Sequence, residues 1–137
     1  KQNVPINLPY PRRTIDMNFT IAAVATSIAG LILGLGWLFA GGLWLKRLGL
    51  EPSATGLVIG RRLGAVYLGI GMMLFLVRSA PASEFRSSVC MAMIFALGLL
   101  ALLGLIEFKA KRAGPGILVS VVLEVLLAAG FVSALLV

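Results

Sequence analysis

The sequence has no histidine, a single cysteine (Cys90), a single aspartate (Asp16) and only 12% charged residues. Each shortage removes a class of chemistry. Without His, and with one thiol, the chain cannot assemble the ligands of a b-type haem, an iron–sulfur cluster, a His-bearing zinc site or a di-iron carboxylate site. No cofactor and no metal is therefore expected. A Ser–His nucleophile pair is impossible, and one Cys cannot close an internal disulfide, so the redox compartment leaves no mark. No basic stretch is interleaved with aromatics, which removes nucleic acid from the expected partners.

What the chain does have is apolar side chain. Of 137 residues 60% are hydrophobic, and the mean hydropathy is +1.05. A soluble domain of this length cannot hide so much, and the apolar residues fall into four runs long enough to cross a hydrocarbon core about 30 Å thick. The runs are continuous and do not alternate as a barrel wall does, and an open sheet would leave backbone groups unpaired in lipid. The predicted fold is all-α, an integral membrane four-helix bundle with antiparallel sequential helices.

The spans are expected at about 19–45, 57–78, 87–107 and 116–137, in one domain covering 17–137. The first, free of charge from Phe19 to Leu45, is longer than a crossing needs. Short connections should make sequential helices neighbours. Residues 1–16 carry Pro5, Pro9 and Pro11 without helical period and read as an extended tail. That tail lacks the order of a secretory signal, and Met17-Asn18-Phe19-Thr20 would also make a natural opening for a membrane protein.

Lys46-Arg47-Leu48-Gly49 and Lys111-Arg112-Ala113-Gly114 form a faint echo, with Pro52 and Pro115 after each. Duplication is one explanation. The plainer one is that cations suit a helix C-terminus, glycine the left-handed position after it, and proline the start of the next segment.

Four spans put the tail, second loop and C-terminus on one side. That side carries the cations Lys1, Arg12, Arg13, Arg78 and Arg86, against Lys46, Arg47, Arg61, Arg62, Lys109, Lys111 and Arg112 on the other. Five against seven is a weak bias, and without the tail it becomes two against seven. The positive-inside rule then places the termini outside and the first and third loops in the cytoplasm of a bacterial inner membrane. The net charge of +7 reads as topology and contact with anionic lipid.

Lipid gives helices no hydrophobic reason to associate, so contacts should form where small residues recur every four positions. The first span offers Ala22, Thr26, Gly30 and Gly34, the second Gly60, Gly64 and Gly71, and the fourth Gly116, Ser120 and Ala128. Glu124 lies on this last stripe, about 12 Å in from Gly116 at 1.5 Å per residue. An ionisable group at that depth is by default a functional hypothesis. Arg61 and Arg62 enter from the same side and are the expected partners, with Glu107 nearer the same face and Tyr67 and Ser120 as further donors. The pair either fixes helix register or serves a substrate or a proton. Cys90 reads as a small buried apolar residue, and Trp37 and Trp44 as packing or interface anchors.

Arg62-Leu63-Gly64, then Leu68-Gly69-Ile70-Gly71, then a last helix bearing Glu124, resembles the DoxX-like superfamily of small bacterial four-helix membrane proteins over residues 60–137. The chain departs from that pattern in its long first span and proline-rich tail. The resemblance implies an accessory subunit, some members being associated with membrane oxidoreductase assemblies, and it carries over no catalytic residue.

The leading expectation is a non-catalytic accessory subunit or assembly factor of a bacterial inner-membrane complex. Minimal loops and several small-residue faces suit membrane lipids, other integral subunits or a second copy as partners. The alternative is a small proton-coupled transporter or lipid- or amphiphile-binding protein that works as a homodimer through Glu124. An enzyme is the least favoured, because Glu107, Glu124, Tyr67 and the arginines are the only acid–base groups near the membrane.

Overall fold

The computed structural model describes residues 17–136. The expected tail lies outside them. Four helices follow in order: α1 Met17–Arg47, α2 Ala54–Val77, α3 Glu84–Lys109 and α4 Ile117–Leu135. All four are long and apolar enough to cross a membrane, and the described residues contain no strand. The fold is an all-α four-helix membrane bundle.

Capping explains where the helices depart from the apolar runs. Ser53 accepts a hydrogen bond from Gly56 N at 3.0 Å, and Ser83 one from Arg86 N at 3.3 Å. Each serine satisfies a donor that the first turn would otherwise leave open, and so α2 and α3 start three residues before their expected spans. The end of α1 is closed by Gly49 at φ +75°, with Leu50 N bonded to Leu45 O and Gly49 N to Lys46 O. This is the left-handed glycine cap that the sequence suggested. At the end of α3 the same pair of bonds runs from Arg112 N to Glu107 O and from Lys111 N to Phe108 O, so Lys111, at φ 58°, takes the left-handed position and Gly114 does not.

Gly114 has another use. Its N–H donates to Leu48 O at 2.7 Å, and a Cβ on Gly49 would come within 2.8 Å of Gly114 Cα. The two echoing loops therefore clasp one another backbone to backbone. Gly116 completes the clasp against the Arg47 carbonyl.

The excess length of α1 is taken up by a break at Ala40 (φ −128°, ψ 31°), just before the pair Gly41-Gly42. Paired glycines are a usual site of helix kinks. The last turns then fold the Trp44 indole back over Gly36.

Packing follows the small residues. Gly30 and Gly34 of α1 face Gly71 and Gly64 of α2, and the Trp37 ring lies on Gly60. α4 meets α1 where Gly130 sits against Ala22, and it meets α3 where Val121 sits against Gly104. The order across the bundle is α2, α1, α4, α3, and no Cα of α2 comes within 8 Å of a Cα of α3. Sequential neighbours were expected here. Instead α2 uses its glycine face on α1.

At the end where α1 and α3 begin, Phe19, Ala22, Ala23, Leu74, Cys90, Met93, Leu97, Phe131 and Ala134 form a closed core. Thr20 Oγ1 donates to Arg78 O at 2.9 Å and ties this end to the second loop. Arg86 is only 8% exposed, its guanidinium 5.4 Å from the Phe19 ring centre. Burial of this loop-side cation was not legible in the sequence.

Candidate functional site

Towards the other end the four helices part around a cavity of about 330 Å³. Its floor is the packed core, through Met93 and Leu97. Trp37 and Trp44 of α1 and Leu127 of α4 also line it, among side chains that are almost all apolar. The polar groups that reach it are Thr26, Tyr67, Ser120, Glu124 and Glu107.

Glu124 is the deepest carboxylate, seven residues or about 10 Å along α4 from Ile117. It is half-buried, and Tyr67 lines the same cavity from α2. Among the described residues Glu124 forms neither an ion pair nor a hydrogen bond. The expected pairing with Arg61 or Arg62 is therefore corrected: both arginines are exposed and neither lines the cavity. The reason is rotational. Once Gly60, Gly64 and Gly71 face α1, Tyr67 points into the cavity, and at about 100° per residue Arg62 and Arg61 lie roughly 140° and 120° round the helix from it.

Glu107 reaches the cavity from the last turns of α3 but is held from outside. Its carboxylate accepts from Arg112 Nε at 2.6 Å and Nη2 at 2.9 Å, a forked pair at the loop-side rim. Donating to the Glu107 carboxylate raises the pKa of the Arg112 guanidinium further above its ordinary range. Both side chains are well exposed, so the pair shapes the rim more than it stabilises the fold. Of the four residues expected to form one charge cluster, the structure brings Glu124 and Glu107 to one cavity and leaves Arg61 and Arg62 outside it.

The glycines Gly30, Gly34, Gly60 and Gly64 are buried at the α1–α2 contact. Ser120, expected at a helix contact, is half-buried and lines the cavity. Trp37 and Trp44, expected as packing or interface anchors, pack on Gly60 and Gly36 and also line the cavity. Bulky rings beside Gly36 and Gly60 were the available signal, since an indole fits against a helix only where a neighbour lacks Cβ.

The cavity is not closed on all sides. Leu63 and Ile70 of α2 and Leu100 and Leu103 of α3 line it yet remain 36–46% exposed. They flank the gap left because α2 and α3 do not approach. No protein-family pattern matches the chain, and no curated protein or solved structure matches it either.

Proposed function

We propose that the chain is an amphiphile-binding protein of a bacterial inner membrane, with Glu124 receiving the polar head of its ligand. The observation that carries this reading is a carboxylate at hydrocarbon depth, facing an apolar cavity, with no cation beside it among the described residues. A ligand that brings a positive charge or a strong hydrogen-bond donor supplies what the protein does not. Tyr67 and Ser120 add hydroxyls to the same head site. Exchange of that ligand for a proton at Glu124 would make a homodimer of the chain a small proton-coupled transporter.

The clasped first and third loops gather Lys46, Arg47, Lys109, Lys111 and Arg112 at one end, which supports a cytoplasmic position for that end and an outer position for the termini. Proteoliposome uptake of a lipophilic cation under a pH gradient tests the reading. Substrate-dependent proton flux lost in Glu124→Gln supports transport, and binding without flux supports a carrier or sensor. Absence of both would overturn it.

The second reading is an accessory subunit or assembly factor of a membrane complex, including an oxidoreductase assembly as the DoxX-like resemblance implies. The gap between α2 and α3 favours it, because a partner's helix could fill the opening. Gentle detergent extraction followed by native mass spectrometry separates the two: a co-purifying integral subunit supports the second reading, and a chain that runs alone or as its own dimer supports the first.

A further inference from the structure

The cavity has two possible approaches, and the structure treats them differently. At the loop end Leu48 and Gly114 join the first and third loops by a backbone hydrogen bond, Gly116 packs on Arg47, and the Glu107–Arg112 fork sits at the rim. Backbone contacts that no side-chain rotation can release therefore hold the first and third loops together at this end. On the flank no Cα of α2 comes within 8 Å of a Cα of α3, and the leucine and isoleucine side chains at 63, 70, 100 and 103 are among those that line the cavity there and remain exposed. Four flexible aliphatic side chains are a soft border.

We propose that the ligand is a single-chain lipophilic amine or quaternary ammonium that passes into the cavity sideways from the bilayer, between α2 and α3. This rests on the amphiphile-binding reading and adds to it the route and the ligand class. Charge decides the head: Glu124 faces the cavity with no cation beside it among the described residues, and the only other carboxylate that lines it, Glu107, is already held by Arg112. Size decides the tail. About 330 Å³ is at the small end of ligand cavities and matches one alkyl chain. Solubility decides the route, since a long-chain ammonium resides in the membrane, where the soft border is.

The chain's only two tryptophans, Trp37 and Trp44, both line the cavity and report its occupancy directly. The test uses protein in nanodiscs and a dodecyltrimethylammonium carrying bromine on its chain, a contact quencher of indole fluorescence. The probe should quench saturably in the wild type and not in Glu124→Gln, and tetramethylammonium, the same head without the chain, should not compete. The double change Leu63→Phe with Leu103→Phe should slow the approach to equilibrium by about tenfold or more, whereas Arg112→Ala at the loop-side rim should not change it. Ile70→Phe alone should act in the same direction, and it serves if the double variant fails to fold. Competition by tetramethylammonium, or a rate that responds to Arg112→Ala and not to the phenylalanines, would overturn lateral passage while leaving a cavity that binds cations. Quenching that is unsaturable, or equal in Glu124→Gln, would overturn the binding reading itself.

Discussion

Gly64 and Gly69 lie one turn and a fraction apart on α2, and the same substitution should have opposite effects at the two. A Cβ on Gly64 would sit 2.8 Å from the Gly34 carbonyl oxygen and 3.0 Å from Trp37 Cβ, whereas a Cβ on Gly69 would meet nothing within 4 Å. Alanine gains about 0.8–1 kcal/mol over glycine in a helix interior at either place. At Gly69 that gain stands alone. At Gly64 it is opposed by overpacking, which costs about 1–3 kcal/mol where a rigid neighbour must move. The neighbour here is backbone on both sides, because a Cβ on Gly34 would likewise come within 2.9 Å of the Gly64 carbonyl. The propensity gain cancels between the sites, so Gly64→Ala should be less stable than Gly69→Ala by about 1–3 kcal/mol. That is about fivefold to more than a hundredfold in the folded-to-unfolded ratio. Lipid supplies no hydrophobic compensation for separated helices, which puts the expected value in the upper part of that range. Reversible unfolding in bicelles, followed by steric trapping, measures the difference. Equal stabilities, or Gly64→Ala the more stable, would refute the claim that α1 and α2 are held by backbone contact.

Three further outcomes are expected. Glu124→Gln should change unfolding stability by less than about 0.5 kcal/mol, since no partner charge is stranded; a loss of about 3–5 kcal/mol would instead reveal a buried ion pair. Cys90 is 1% exposed in the closed core, so a membrane-permeant maleimide should label it only when the bundle unfolds, and prompt labelling of the folded protein would contradict that packing. Gly49→Ala should cost about 1–2 kcal/mol for the left-handed backbone alone, with more from the Gly114 contact, whereas Ala113→Gly should cost far less; equal thermal shifts would refute the loop clasp.

The membrane bundle was legible because it depends on composition over long windows: an uninterrupted apolar run in lipid has few backbone solutions other than a helix. Helix ends were less so, since Ser53 and Ser83 carry α2 and α3 outward past the apolar stretch by a purely local bond that hydropathy does not weigh. The α1–α2 contact was readable from Gly30, Gly34, Gly60 and Gly64, because only residues without Cβ let two backbones meet. The site was legible in part. Glu124 stood out as a carboxylate in an apolar span, but pairing it with Arg61 or Arg62 assumed that α2 turns its cations towards α4. The glycine stripe forbids that: the same residues that bind α2 to α1 set its rotation, bring Tyr67 round to the cavity and send both arginines outward. The order of helices depends on which stripe finds which, a long-range choice that no single span encodes. That choice leaves α2 and α3 apart although only residues 78–83 join them, and it opens the cavity on the flank where the ligand is proposed to pass.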